Sequence, residues 1–281
     1  MSAPSDFDAP AHAVRDAVAR ALAEDLGPLG DLTSLALVPA GASGAGEFVA
    51  RVPGVLAGTA AATEVYAQLD RDVEVRWLAA DGDALAAGGV LGRVQGPLRS
   101  LLTGERSALN FLGHLSGVAT LTRTYATAAA PARIRDTRKT IPGLRALEKA
   151  AVRAGGGANH RGNLSDAVLV KDNNLRLTSI GTAVGLARTR WPGATVEVEC
   201  DTLEQVAEAK AAGADLVLLD NMKPDQVAEA VALVGGAFPV EVSGGVTLDT
   251  VAAFAAAGAD LISVGALTHS APNLDIALDL E

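Results

Sequence analysis

The stretch TVEVECDTLEQVAEAKAAGADLVLLD, residues 195–220, has the pattern of one complete strand–helix–strand unit and decides the fold. A β-branched apolar run at 195–199 is followed by Thr202 and Gln205, whose spacing matches the capping box of a helix N-terminus. An Ala-rich helical stretch then ends at Gly213, where a left-handed C-cap favours glycine, before a second apolar run at 215–220. This order of signals predicts two strands joined by a helix.

The same pattern recurs from about residue 120 to 270. Short apolar runs, each ending at or beside a polar residue or glycine, occupy residues 132–136, 167–171, 195–199, 215–220, 238–243 and 260–265. From Glu199 onward the ends of these runs lie 21 to 23 residues apart, the length of one strand, one helix and two short loops. We take the runs as mainly apolar rather than alternating, so both faces of each strand are expected to be buried, as in a parallel sheet covered by helices.

Two architectures combine parallel strands with helices in this way, the doubly wound sheet and the α/β barrel. A doubly wound sheet usually carries a glycine-rich loop after its first strand. The stretch after the first run, DTRKTIPG at 136–143, contains no such loop. We therefore predict a barrel.

The first half of the chain lacks this repeat. Residues 12–25 predict an amphipathic helix, and the stretches 47–58 and 73–96 predict strands and hairpins with glycine turns at 82, 88–89 and 92. Residues 105–125 predict a helix in which Gly113 and Gly117 allow a neighbour to approach closely. We expect an α+β domain over 1–115, a barrel domain over 116–270, and a tail at about 271–281 that packs with the first domain.

Composition excludes several classes of function. A net charge of −10 and an aromatic content of 3% argue against binding to nucleic acid or to an anionic membrane. Cys200 is the single cysteine, which rules out an intrachain disulfide and suits a reducing compartment. No signal-peptide pattern and no apolar run long enough to span a bilayer is present in the sequence. We expect a soluble cytoplasmic protein.

Polar or glycine residues close every predicted barrel strand. In a barrel, the carboxyl ends of all strands meet at one rim, where catalytic groups gather. A charge at one strand end is usually only solvated, but six consecutive strands with such ends favour a functional site. These residues are Asp136, Thr137, Arg138 and Lys139, then Lys171 and Asp172, then Glu199, Asp220, Ser243–Gly245 and Gly265.

The segment 133–171 is strongly basic, with nine Lys and Arg against three acidic residues. Three of the cations, Arg145, Lys149 and Arg153, follow helical spacing and are expected on a solvated helix face. Four other cations lie on loops or at strand ends, where they can converge on an anion with several charges. They are Arg138, Lys139, Arg161 and Lys171. Glycine loops after the last two strands, 243–245 and 264–266, predict a phosphate site.

Glu199 and Asp220 are the acidic residues expected opposite this basic cluster. They suit Mg²⁺ or the hydroxyl groups of a ribose. The alternative is an ordinary ion pair with Lys171 or Arg161. Cys200 is expected on the packed face of its strand, and His12 and His114 have no partner pattern, so we assign them to the scaffold.

Ordered motifs along nearly the whole chain resemble the quinolinate phosphoribosyltransferase family, whose members are also called nicotinate-nucleotide pyrophosphorylases. The motifs are GDLTS (30–34), GERSALNFLGHLSGVATLT (104–122), DTRKTIPGLRALEKAAVRAGGGANHR (136–161), LVKDNN (169–174), VEVEC (196–200), LLDNM (218–222), EVSGGV (241–246) and ISVGALTHS (262–270). The resemblance implies an N-terminal α/β sandwich and an open α/β barrel. It also implies the Mg²⁺-dependent conversion of quinolinate and 5-phosphoribosyl-1-pyrophosphate into nicotinate mononucleotide, carbon dioxide and pyrophosphate, in de novo NAD synthesis.

The resemblance also implies a homodimer, or a hexamer, with a shared active site. Arg106 would reach the quinolinate carboxylates across the subunit interface, and Thr137, Arg138, Lys139, His160, Arg161 and Lys171 would line the pocket. Lys139, Lys171, Glu199 and Asp220 would be catalytic, with Glu199 and Asp220 serving the ribose and the metal, directly or through water. Ser243, Gly244, Gly245, Val264, Gly265 and Ala266 would bind the 5′-phosphate. The chain departs from the family pattern at Asn174, where His is usual, and at the glycine of HRGNLSDA (160–167).

Two rival functions share parts of this motif set. One is the related pyrophosphorylase-like protein of molybdenum-transport operons, which a substrate assay distinguishes. The other is a nucleotide-binding relative without catalytic activity, which would have no use for both Glu199 and Asp220 beside the basic cluster.

Overall fold

The computed structural model describes residues 7–281, which form two compact units. The first comprises the chain up to Arg123, together with Thr140–Gly156 and Leu267–Glu281, and the second comprises Thr124–Lys139 and Gly157–Ala266. Up to the start of the barrel, the elements are α1 (Ala11–Leu26), α2 (Leu32–Leu37), β1 (Ser43–Ala50), β2 (Gly54–Val55), α3 (Thr59–Leu69), β3 (Glu74–Trp77), β4 (Ala84–Leu85), β5 (Val90–Pro97) and α4 (Leu98–Ala129).

The remaining elements follow in chain order. They are β6 (Arg133–Arg135), α5 (Arg145–Ala154), β7 (Val168–Val170), α6 (Asp172–Leu175), α7 (Ile180–Arg190), β8 (Val196–Cys200), α8 (Leu203–Ala212), β9 (Leu216–Asp220), α9 (Pro224–Val234), β10 (Val240–Ser243), α10 (Val251–Ala256), β11 (Leu261–Ser263), α11 (Ala266–His269) and β12 (Ile276–Leu280). In the described part of the chain, no helix is both long and apolar enough to cross a bilayer.

The first unit contains an antiparallel sheet with the strand order β12-β1-β5-β3. Its core includes the buried Phe48, which stacks on Trp77 with 5.1 Å between ring centroids. The C-terminal strand β12 pairs with β1, with Phe48 opposite Leu278. This pairing attaches the end of the chain to the sheet formed by its first hundred residues.

Most helix and turn predictions for this unit are confirmed, with one error. The helices predicted at 12–25 and 105–125 correspond to α1 and to the interior of α4. A Cβ on Gly113 would lie 3.1 Å from the carbonyl oxygen of Leu274, and Gly117 faces the carbonyl of Pro272, so both glycines admit the C-terminal segment. The turn predicted at Gly92 is wrong, because Gly92 lies inside β5, where a Cβ would lie 2.7 Å from Trp77.

The predicted solvated face of α5 is also wrong. Lys149 is buried, and its neighbour Glu148 is fully buried and accepts from Ile141 N–H at 3.1 Å. Arg153 donates to the backbone carbonyls of Phe7 and Asp8 at 3.3 and 3.0 Å. The helix packs inside the first unit, and helical spacing of cations could not reveal that, because burial depends on segments distant in sequence.

The second unit is an open α/β barrel, as predicted. All six strands are parallel and follow the order β6-β11-β10-β9-β8-β7. From β7 to β11 each strand therefore pairs with the next strand in the chain, and β11 returns to pair with β6. The sheet opens between β6 and β7, where an isolated bridge joins Arg135 to Ala158. A doubly wound sheet would instead reverse its order at an internal strand.

Local sequence signals set the ends of the helices around the barrel. Thr202 and Gln205 form the predicted capping box at the start of α8. Gly213 follows the helix with φ of +77°, the left-handed conformation of a C-cap. Short loops then deliver each strand to the same rim.

Candidate active site

A cavity of about 260 Å³ opens at the carboxyl ends of the barrel strands. Its lining combines cationic, acidic and hydroxyl groups from the strands and from the loops that follow them. The lining residues are Thr137, Arg138, Lys139, His160, Arg161, Leu169, Lys171, Glu199, Leu218, Asp220, Ser243 and Ser263. The structure thus brings together nine of the residues that the sequence predicts for the site.

The four predicted cations lie around this one cavity. Arg138 and Lys139 follow β6, Lys171 follows β7, and Arg161 belongs to the segment that precedes β7. Burial lowers the pKa of the Arg161 guanidinium, and the nearby charge of Arg138 lowers it further. An arginine stays charged in this situation, so the cavity concentrates positive charge that an anionic ligand would neutralise.

Two carboxylates, Glu199 at the end of β8 and Asp220 at the end of β9, form the acidic part of the lining. Glu199 accepts a hydrogen bond from the Lys171 ammonium, so the two residues form an ion pair. Burial raises the pKa of Asp220, and the charge of Asp201 adds to this effect, while Lys171 and Lys139 oppose it. Carboxylate oxygens of this kind fit Mg²⁺, which prefers oxygen ligands and retains several waters.

Asn221 orients the Asp220 carboxylate. Its Nδ2 donates to Asp220 Oδ2 at 2.8 Å, and its backbone N–H donates to the carbonyl of Ser243 at 3.0 Å. Asn221 has a φ of +55°, a left-handed conformation that asparagine tolerates better than most residues. Sequence reasoning did not identify this residue, although an Asn directly after a predicted catalytic acid was a usable signal.

The two glycine loops lie beside the cavity but do not line it, apart from Ser243. Gly244 and Gly245 have positive φ values of +91° and +60°. Val264 is buried and its N–H donates to the carbonyl of Arg135 at 2.9 Å, and α11 begins at Ala266, directly after Gly265. Arg106 is exposed on α4 in the first unit. The loop after β10 therefore reaches the cavity through Ser243, and the role of Arg106, which belongs to the first unit, stays a prediction.

Asn174 caps the short helix after β7. Its Oδ1 accepts the backbone N–H of Lys171 at 2.9 Å.

Cys200 is fully buried, as predicted, and burial raises the pKa of its thiol to about 12. Glu199 therefore lines the cavity, whereas the neighbouring cysteine does not.

Comparison with known proteins identifies the family. The model of the quinolinate phosphoribosyl transferase N-terminal domain matches residues 31–116, and that of the C-terminal domain matches residues 118–279. The chain belongs to the quinolinate phosphoribosyltransferase family.

Individual members of the family match over 90% or more of their length. A nicotinate-nucleotide pyrophosphorylase [carboxylating] from Mycobacterium leprae is 44% identical over 100% of both chains. A probable enzyme of the same name from Bacillus subtilis is 42% identical over 92% of this chain and 90% of its own. The solved nicotinate-nucleotide pyrophosphorylase from Francisella tularensis superposes with a TM-score of 0.93, with 36% identity and full coverage of both chains.

Beneath the cavity, this family member has a buried polar layer that the sequence prediction missed. The layer contains Glu197 of β8 and Glu241 of β10, both buried, and the buried ring of His160. His160 Nε2 lies 3.2 Å from Glu197 Oε2 and 3.6 Å from Glu241 Oε1. The signal was available in VEVEC and VEVS, since alternation with a period of two places these glutamates on the inner face of the barrel.

Arg135 and Ser263 complete the layer around Glu241. Arg135 Nη1 lies 2.5 Å from Glu241 Oε2, and the Ser263 hydroxyl donates to Glu241 Oε1. Burial raises the pKa of Glu241, and the charge of Glu197 adds to this, while Arg135 opposes it. Barrel interiors are usually filled by branched apolar side chains, so this charged layer is a specific feature of the site.

Proposed function

We propose that this protein is a quinolinate phosphoribosyltransferase of de novo NAD biosynthesis. It transfers the phosphoribosyl group of 5-phosphoribosyl-1-pyrophosphate to quinolinate and releases carbon dioxide and pyrophosphate, giving nicotinate mononucleotide. The observation that carries this proposal is one cavity lined by four cations and two carboxylates at the rim of the barrel. Two polyanionic substrates and a developing cationic sugar require these two kinds of charge together.

The cations bind the substrates. We assign Arg138 and Arg161 to the quinolinate carboxylates, because a guanidinium pairs with a carboxylate through two hydrogen bonds. Thr137, Lys139, His160 and Lys171 complete the pocket. Ser243–Gly245 and Val264–Ala266 bind the 5′-phosphate through their backbone N–H groups, a role that positive φ at Gly244 and Gly245 supports.

The chemical step begins when pyrophosphate leaves C1 of the ribose through an oxocarbenium-like state. The carboxylate of Glu199 or Asp220 stabilises the positive charge on the ribose, and the Lys139 and Lys171 ammonium groups stabilise the negative charge on the leaving group. The pyridine nitrogen attacks C1 and becomes cationic. The ring then accepts the electron pair left at C2 when the 2-carboxylate departs as carbon dioxide, and C2 takes up a proton.

We propose that Mg²⁺ is the cofactor and that Glu199 and Asp220 hold it, directly or through water. When bound, it would neutralise charge on the pyrophosphate. Lys171 and Glu199 form an ion pair in the structure. A substrate anion would compete with Glu199 for Lys171, and a cation would compete with Lys171 for Glu199, so the pair supports a role for Glu199 that begins when substrate binds.

We propose further that the protein works in the cytoplasm as a homodimer, or as a hexamer built from dimers, in which Arg106 completes the neighbouring subunit's site. The exposure of Arg106 on α4 supports this role. Mixing an Arg106→Ala variant with an Arg138→Ala variant tests it. If the sites are shared, a mixed dimer contains one site with both arginines intact, so we expect activity to recover in part on mixing. A stable mixed dimer without activity would contradict a shared site.

The reaction is tested with purified protein, quinolinate, 5-phosphoribosyl-1-pyrophosphate and Mg²⁺, with chromatographic detection of nicotinate mononucleotide. Product that requires each of the three components supports the proposal. Folded protein without product would contradict it, and would favour the molybdenum-linked relative or a binder without turnover.

A further inference from the structure

The His160 ring is held from both sides inside the barrel. Its Nδ1 accepts the backbone N–H of Arg161 at 2.7 Å. An acceptor nitrogen carries no proton, so the ring proton of the neutral imidazole lies on Nε2. Nε2 lies 3.2 Å from Glu197 Oε2, close enough for the carboxylate to attract the Nε2–H, although the pair lacks the alignment of a formed hydrogen bond.

The segment Asn159–Arg161 is anchored at each of its residues. Arg135 Nη2 donates to the Asn159 carbonyl at 3.3 Å, and Asp136 accepts the backbone N–H of His160 at 2.8 Å. The Asn159 side chain donates to Asp136 at 2.6 Å. The His160 ring adds the last link, because it holds the Arg161 N–H.

A metal ion is the main alternative for this cluster, since the ligand atoms of His160, Glu197 and Glu241 all lie within 4.8 Å of one another. Metal binding through Nε2 requires a lone pair on that nitrogen. Because Nδ1 accepts a hydrogen bond, the available lone pair lies on Nδ1, and Nε2 carries the proton. Arg135 also supplies a positive charge to Glu241 already. The geometry therefore favours a proton at Nε2 over a metal.

We propose that Glu197 is a positioning residue for anion binding: it accepts the His160 Nε2–H, so that Nδ1 fixes the backbone of Arg161 and directs its guanidinium into the cavity. This inference rests on the proposed function, in which Arg161 binds a carboxylate of quinolinate. Burying a carboxylate such as Glu197, which is 3% exposed, is costly without a partner. Its Oε1 makes no hydrogen bond to any residue that the structure describes, so the approach of Oε2 to the His160 ring is the contact that gives this buried group its use.

Two substitutions at Glu197 separate its acceptor role from its charge. Glu197→Gln keeps an oxygen that accepts the Nε2–H, whereas Glu197→Leu removes the acceptor at similar volume. We expect the KM for quinolinate to rise about tenfold in Glu197→Leu, the factor that corresponds to one hydrogen bond, and to stay near wild type in Glu197→Gln. An equal rise in both variants would show that charge or a bound metal matters, and would overturn the proposal.

Glu148→Leu is the matched control. Glu148 is likewise a fully buried glutamate that pairs with a histidine, His114 Nε2 at 2.9 Å, but it belongs to the first unit and not to the cavity. We expect this variant to melt at a lower temperature with an unchanged KM. The same rise in KM in Glu148→Leu and Glu197→Leu would indicate general loosening and would refute the positioning role.

Nitrogen NMR of the four histidines tests the tautomer without relying on turnover. With the His160 signals assigned through a His160→Gln variant, we expect a proton on Nε2 and none on Nδ1 in the wild type. A proton on Nδ1 would overturn the inference even if product forms. If the wild type makes no product and binds no quinolinate by calorimetry, the proposed function fails, while the NMR result still decides how the ring is held.

Discussion

Replacing Gly244 by alanine should disturb the loop that follows β10 far more than the same change at Gly245. A Cβ on Gly244 would meet the Asn221 side chain, with Cγ at 2.8 Å, and the Asn221 backbone nitrogen at 2.9 Å. A Cβ on Gly245 would have nothing within 4 Å. The two positions are adjacent and both have positive φ, so the pair isolates the effect of the close approach to Asn221.

The expected difference follows from two contributions. Alanine in a left-handed conformation costs about 1–2 kcal/mol at either position. At Gly244 the contact adds the cost of overpacking, about 1–3 kcal/mol, because Asn221 is held by Asp220 and by the Ser243 carbonyl and cannot move freely. We therefore expect Gly244→Ala to lower the free energy of unfolding by about 2–5 kcal/mol and Gly245→Ala by about 1–2 kcal/mol.

Urea unfolding followed by circular dichroism measures these losses, with both variants prepared in parallel. Gly244→Ala should also lower kcat, because a displaced Asn221 no longer orients the Asp220 carboxylate. Equal losses of stability in the two variants would refute the reasoning, since they would leave only the backbone conformation as a cause. If an Asn221→Ala variant loses as much free energy of unfolding as Gly244→Ala does, the result agrees with displacement of Asn221 as the cause.

Three further predictions concern other parts of the second unit. Arg138→Ala should lower kcat/KM strongly and leave the circular dichroism spectrum unchanged, and steady-state rates equal to the wild type would show that the pocket assignment is wrong. Cys200, with its pKa raised to about 12 by burial, should resist a thiol reagent at pH 8 until the protein is unfolded, and rapid labelling of native protein would contradict this. The Asp215 carboxylate, which accepts from Arg188 at 2.8 Å and from the Val196 N–H at 2.7 Å, has a lowered pKa. Because the pKa of Asp215 in the folded protein is below 3.8, the wild type should have a higher melting temperature than Asp215→Asn near pH 7. This difference should disappear as the pH falls below 3.8 and the carboxylate takes up a proton. A difference in melting temperature that persists at pH 2 would contradict the prediction.

The sequence by itself determined the repeating architecture of the second unit. The six apolar runs became the six barrel strands, and Thr202 and Gly213 began and ended α8 as predicted. These features depend on side-chain spacing and capping within about 25 residues, so they can be recognised along the chain. For the same reason the charged strand ends were predicted to share one rim, and the cavity is lined by Arg138, Lys139, Lys171, Glu199 and Asp220, although not by Asp136 or Asp172.

Only the tertiary structure decided what lies beneath that rim and which charges are buried. The pairing of β11 with β6 closes the barrel far enough to bring Glu241 to Arg135, two residues separated by 106 positions. Lys149 was expected in solvent and is buried, because α5 packs against segments of the first unit. Burial and long-range pairing depend on surfaces that distant parts of the chain bring together, and no local pattern in the sequence carries that information.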